Sequence, residues 1–202
     1  DTYNDGKTLF AGAADLFEVW LNSRPAPLPL PIREEGSYFH ETELSTPLSY
    51  REGQGGGSLL LLCGSTQSKP LDLCIPEFPM PRAVYDGEAP VSAWIEQIKD
   101  NPKGAILSFG TNTHRTGKDA AVYLRNEMAE AAVAFISRNH PQEIIIEGGA
   151  TAFCLLNRLG WHHFRIVSEI APGVVRMQSL SPNTVFVTLK PGSYPWGKLW
   201  EK

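Results

Sequence analysis

The chain has 202 residues, 42% of them hydrophobic, which suits one globular domain, or one with a long appendage, and is enough to bury a core. A net charge of -4 argues against broad nucleic-acid binding, which needs a clustered basic face, but leaves room for a small basic site that holds a phosphorylated metabolite. The apolar runs are too short and interrupted for a membrane span, and Asp1 to Lys7 carry no basic-then-apolar leader.

In chain order, Lys7 to Gly12 reads as a short strand-like entry. Leu16, Phe17, Trp20 and Leu21 then recur at helical spacing, so an amphipathic helix is expected. From Arg24 to Pro31 proline takes alternate positions, which removes donors and fixes an extended backbone. Irregular composition continues through the glycines that end at Gly57, so residues 24–57 are expected to form a Pro/Gly-rich arm. That arm wraps across a surface or lies between domains.

Order returns at Ser58. The run Leu59-Leu-Leu-Leu-Cys63 predicts a strand buried on both faces. Trp94, Ile95 and Ile98 mark a helix over 91–99, and Ala105 to Phe109 a second buried strand. The longest helix is expected over 118–138, with Ala121, Leu124, Met128, Ala132, Phe135 and Ile136 as its apolar stripe. Glu143 to Glu147 predicts a third strand and Thr151 to Leu159 a helix stopped by Gly160. Further strands are expected at 164–167 and 184–189. No long helix separates these last segments, so that end of the sheet should be mixed or antiparallel. The fold class is α/β, a layered α/β/α domain around a mostly parallel but mixed sheet.

Three glycine-bearing turns follow apolar strands: Gly64-Ser65-Thr66, Gly148-Gly149-Ala150-Thr151 and Pro191-Gly192-Ser193. In open α/β sheets ligands bind beyond the carboxyl ends of strands, where such turns lie. Glycine admits close approach of a ligand to the backbone, and amides at a helix start point at anions. The segment from Gly110 to Asp119 looks superficially like a Walker loop but has Asn112 where the first glycine belongs and Asp119 where the magnesium hydroxyl belongs. It is expected to cap the long helix, with Thr116 or Thr113 as N-cap.

Other chemistry is thin. Cys63, Cys74 and Cys154 lie far apart without metal spacing and read as buried apolar residues of a cytoplasmic protein. His162 and His163, adjacent on an extended segment, point to opposite faces and lack further ligands nearby. Ser65 is not in a Gly-x-Ser-x-Gly elbow, which speaks against a hydrolase triad. Glu169 could serve a ribose, a magnesium water or a backbone turn.

Taken in order, Leu-Leu-Leu-Leu-Cys-Gly-Ser, Ile-Ile-Ile-Glu-Gly-Gly-Ala-Thr-Ala, Ser168-Glu-Ile-Ala-Pro-Gly-Val174 and Leu189-Lys-Pro-Gly-Ser-Tyr194 resemble the four-carbon acid sugar kinase family. The likeness runs from roughly Leu9 to Trp196 and is to the C-terminal nucleotide-binding domain. It implies one such domain over residues 1–202, without the N-terminal substrate domain; the start without methionine separately reads as a processed or cropped chain. The resemblance further implies ATP with Mg2+ as cofactors and an acid sugar such as threonate, erythronate or a 3-oxo-tetronate, held by the absent domain. An interface to that domain, and to a second copy as a homodimer, is also expected from the family. Carried over residue by residue, the nucleotide contacts would be Ser65, Gly148, Gly149, Ala150, Thr151 and Gly192, with no catalytic residue in this half and the metal ligands unassigned.

The sequence departs from the family in three places. Ala150 stands where the family carries an acidic residue, Phe153 where a small one is frequent, and the last turn ends in Tyr-Pro-Trp, where Trp196 is expected either to stack on another group or only to cover the sheet edge. These departures leave open an alternative, a non-catalytic nucleotide- or metabolite-binding module with a decayed site.

Overall fold

Four consecutive leucines cannot serve an edge strand with one wet face, since every second side chain would then meet water. The computed structural model describes residues 58–65, 73, 75–180 and 184–194. In it the leucines form β1 (Leu59–Cys63), in the interior of a seven-stranded sheet. The chain continues through β2 (Glu77–Pro79), α1 (Arg82–Asp86), α2 (Ser92–Ile98), β3 (Gly104–Ser108), α3 (Lys118–Asn139) and β4 (Glu143–Glu147). It ends with α4 (Gly149–Arg158), β5 (Phe164–Ala171), β6 (Val174–Ser179) and β7 (Phe186–Lys190). The helix near residues 16–21, the arm over 24–57, Cys74 and Trp196 lie outside the described residues.

The strand order is β2-β3-β1-β4-β7-β6-β5. Pairings from β2 to β7 by way of β3, β1 and β4 are all parallel, whereas β6 pairs antiparallel with both β5 and β7. This is the mostly parallel, mixed sheet that the residue pattern predicts. The antiparallel end has a plain cause: Pro172-Gly173 turns the chain in place, with Gly173 at a φ of 75°, and so leaves no length for a crossover helix. Glu169 closes this hairpin by accepting a hydrogen bond from the Gly173 amide at 2.9 Å. Of its three candidate roles, the backbone turn is the one observed.

Alternate residues of each central strand divide between two cores. Leu60, Leu62, Leu107, Ile144 and Ile146 join Trp94, Met128, Phe135 and Leu155 in the larger one, to which all four described helices contribute. Leu59, Leu61, Ile106 and Ile145 face the other way, into a smaller cluster with Val174. That second face also carries buried charge. Arg176 Nε donates to Glu143 Oε1 at 3.0 Å, Thr188 adds a bond to the same carboxylate at 3.2 Å, and the guanidinium lies 4.0 Å from the Phe186 ring centre.

Three local expectations need correction. The N-cap of α3 is Gly117, at a φ of 97°, and no side chain caps the helix, so neither Thr113 nor Thr116 has that role. Ala121 leaves the apolar stripe and is exposed, because the first turn of α3 borders an open cavity rather than the core. The helix placed at Thr151 begins two residues earlier, at Gly149, because Gly148 takes up the strand-to-helix turn with a φ of 101°. Gly160, just past the end of that helix, is left-handed at a φ of 67°, as a helix-stopping glycine should be.

Candidate functional site

The connection from β1 runs to β2 at one edge of the sheet, whereas that from β4 runs the opposite way, through α4 to β5 at the other edge. The chain therefore reverses direction between the neighbours β1 and β4, and a crevice opens beyond their carboxyl ends. In register, Cys63 lies beside Glu147 and Glu147 beside Lys190, so the three strands stop level with one another. Each is followed by one of the glycine turns.

Backbone hydrogen bonds tie these turns together. The Gly64 amide donates to the Glu147 carbonyl at 3.1 Å, and the Gly148 amide donates to the Lys190 carbonyl at 2.8 Å. Packing closes what remains. A Cβ on Gly64 would collide with Thr151 Oγ1 and come within 2.6 Å of the Glu147 carbonyl oxygen, while one on Gly192 would stand 3.0 Å from Ser65 Oγ. Beneath the turns, buried Lys190 forms an ion pair with buried Glu147 and also donates to the carbonyls of Pro191 and Gly192, at 3.2 and 3.4 Å. One side chain thus links the strand that leads into Gly148 to the turn that carries Gly192.

The turns form one side of a cavity of about 710 Å³, within the range of small-molecule and cofactor sites. All six residues singled out from the sequence, Ser65, Gly148, Gly149, Ala150, Thr151 and Gly192, line it. The remaining wall was not anticipated. It comes from α1 (Tyr85), from the loop between β3 and α3 (Phe109, Thr113, Arg115, Thr116, Gly117) and from the first turns of α3 (Ala121, Leu124, Arg125). Failure of the Walker pattern hid this loop, yet its place between a buried strand and the longest helix, with glycine at each end, was a usable signal.

The loop is anchored to the segment around α1. Asn112 donates to the Met80 carbonyl at 3.1 Å, His114 and Asp86 share a hydrogen bond of 2.5 Å, and Arg115 donates to the Tyr85 carbonyl at 2.7 Å. The His114 contact holds the Asp86 carboxyl below its usual range, with Arg82 adding to the effect. Arg115 also lies 4.8 Å from the Tyr123 ring centre, and that ring is fixed by a 2.7 Å bond from its hydroxyl to the Val84 carbonyl. Its guanidinium is therefore held in place. Arg125, half-buried, makes no ion pair among the described residues.

The electrostatics follow from this wall. Its described residues include two arginines and several hydroxyls but no aspartate or glutamate, so the cavity favours an anion. The magnesium implied by the family resemblance does not fit these residues. Mg2+ is usually held by one or two carboxylates together with waters and phosphates, and here Ala150 occupies the position where the family has one. No group of three His, Cys, Asp or Glu suited to a metal occurs among the described residues. His162 and His163 are exposed and away from the cavity, and Cys154 donates to Asn126 Oδ1 at 3.1 Å. Cys63 sits under the turns with its thiol pushed up to about 12, first by burial and then by the charges of Glu147 and Glu77.

Against this geometry, residues 72–194 match a family model described as nucleotide-binding C-terminal domain, well over half of the chain. The chain belongs to that family. Solved structures of longer chains share this fold over part of their length. A Haemophilus influenzae protein of the DUF1537 family aligns over 73% of this chain and 39% of its own, at 19% identity and a TM-score of 0.54. A Bordetella bronchiseptica DUF1537 domain, a domain-swapped dimer with bound citrate, aligns over 77% of this chain and 40% of its own, at 14% identity and a TM-score of 0.55. No curated protein matches the chain. The nucleotide-binding C-terminal domain therefore spans about two fifths of the solved chains it resembles. The resemblance read from the four turn motifs and the family match agree. Among the described residues, no helix of this nucleotide-binding domain is long and apolar enough to cross a membrane.

Proposed function

We propose that the chain binds ATP in this cavity, as the nucleotide-holding half of a kinase that phosphorylates small four-carbon acid sugars of the threonate, erythronate or 3-oxo-tetronate kind. One observation carries the proposal: three glycine turns, from three adjacent parallel strand ends, meet on a single cavity that contains two arginines and no described carboxylate. Main-chain amides at Gly149, Ala150 and Thr151, in the first turn of α4, suit phosphate oxygens, and Ser65, Gly148 and Gly192 complete the cradle. Tyr85, Phe109 and Leu124 add apolar surface for a base. Phosphoryl transfer is mainly positioning and charge stabilisation, so holding ATP on one domain and the acceptor on another is a workable division. The family name, the DUF1537 neighbours and the citrate bound by one of them, a small polycarboxylate, are consistent with a sugar-acid acceptor.

The test is direct binding. At a hundredfold excess over Kd, ATP should raise the melting temperature by about 5–10 °C, from roughly 2.7 kcal/mol of ligand stabilisation. No shift and no titration heat at millimolar ATP, with and without magnesium, would remove the proposal.

Ala150 favours a second reading, a non-catalytic nucleotide- or metabolite-binding module. On that reading the site has lost its acidic residue, and Ala150→Glu should raise the affinity for nucleotide with magnesium. Unchanged affinity would leave a grip made by backbone and arginines.

A further inference from the structure

The cavity's charges say more than that it favours an anion. A triphosphate entering a half-enclosed site needs its charge neutralised, and proteins usually supply a divalent cation coordinated by carboxylates for this. Here the described wall has no carboxylate, and two guanidiniums lie on it instead. Arg115 is oriented by the Tyr85 carbonyl and the Tyr123 ring, and only one of its five N–H groups is engaged by that carbonyl. Arg125 has no acidic partner among the described residues. Both arginines are half-buried and make no ion pair among the described residues, so an anion that enters the cavity would meet positive charge that no carboxylate there offsets.

We propose that the cavity takes its nucleotide as the metal-free polyanion, with Arg115 and Arg125 supplying the countercharge that magnesium would otherwise bring. This rests on the nucleotide reading above and adds a specific ligand form to it. Magnesium bound to ATP cancels part of the charge the arginines would meet and has no described carboxylate to settle on. Free ATP should therefore bind at least as tightly as its magnesium complex. Affinity should also fall from ATP to ADP to AMP, as phosphate charges are removed.

Calorimetric titration of the chain with ATP, ADP and AMP, in EDTA and again in millimolar magnesium chloride, tests this. The expected result is an ATP Kd in EDTA equal to or below that in magnesium, with the affinity order above. Arg125→Gln should weaken ATP in EDTA by about tenfold, as loss of a charge-assisted phosphate contact does, and Arg125→Lys should recover part of it. Should Arg125→Gln fail to fold, the three-nucleotide series on the unaltered chain still decides. Binding that requires magnesium, or an affinity indifferent to phosphate number, overturns the metal-free form while leaving a nucleotide site in place. Absence of binding in both buffers overturns the nucleotide reading itself, and this inference falls with it.

Discussion

At the scale of single residues, two glycines in the same site should respond in opposite ways to the same change. Gly64 has no room for a Cβ, because Thr151 Oγ1 and the Glu147 carbonyl already fill the space. Gly64→Ala is expected to cost about 1–3 kcal/mol in urea unfolding, the usual penalty for overpacking. A Cβ on Gly149 meets nothing within 4 Å, and its backbone is helical. Gly149→Ala should therefore leave stability unchanged or raise it by up to about 1 kcal/mol, while weakening nucleotide binding by intruding on the cavity. Cys63 offers a pH test. Its thiol, raised from 9.0 to about 12, stays protonated at neutral pH, so iodoacetamide should label native protein far more slowly than unfolded protein at pH 8. The folded state holds this proton more tightly than the unfolded one. The associated stability is complete below pH 9 and declines as pH rises from 9 towards 12, and an alkaline unfolding series would show that slope.

Among the elements, β4 and β7 depend on a charge pair that no hydrophobic pattern announces. Lys190 and Glu147 are buried neighbours in register, and removing one leaves the other charged and without its partner. Lys190→Met should cost about 3–5 kcal/mol, and adding Glu147→Gln should recover much of it, so a double-mutant cycle in denaturant would measure the coupling. Additive costs would argue against the pairing. The strands themselves were legible in the sequence because Leu59–Leu62, Ala105–Leu107 and Ile144–Ile146 leave no polar side to expose. The short β2 and α1 were not. Three residues centred on Phe78 and five ending at Asp86 are too brief to establish a period, and β2 owes its place to pairing with β3. The loop over 109–117 is hard to read for a related reason. Its hydroxyls have the spacing of caps for α3, whereas Gly117 starts that helix without a side-chain cap and the loop lies against α1 instead.

For the whole molecule, the chain's length relative to its neighbours matters. It spans about two fifths of the solved DUF1537 chains it resembles. If the proposed division of labour holds, the chain alone should bind nucleotide but transfer no phosphate to threonate or erythronate in a coupled ADP assay. Turnover by the isolated chain would mean that the acceptor also finds its place here, and would break the two-domain proposal.

The sequence by itself determined the buried parallel strands, the mixed end of the sheet and the three glycine turns, because each follows from chemistry within a few neighbouring residues. It also placed all six candidate contacts on strand ends. Only the tertiary structure decided that those ends share one cavity and that Arg115 and Arg125 complete its wall. It alone, too, brought buried Lys190 to Glu147. Such contacts join residues tens of positions apart, and their energy depends on burial and sheet register, neither of which a local pattern records.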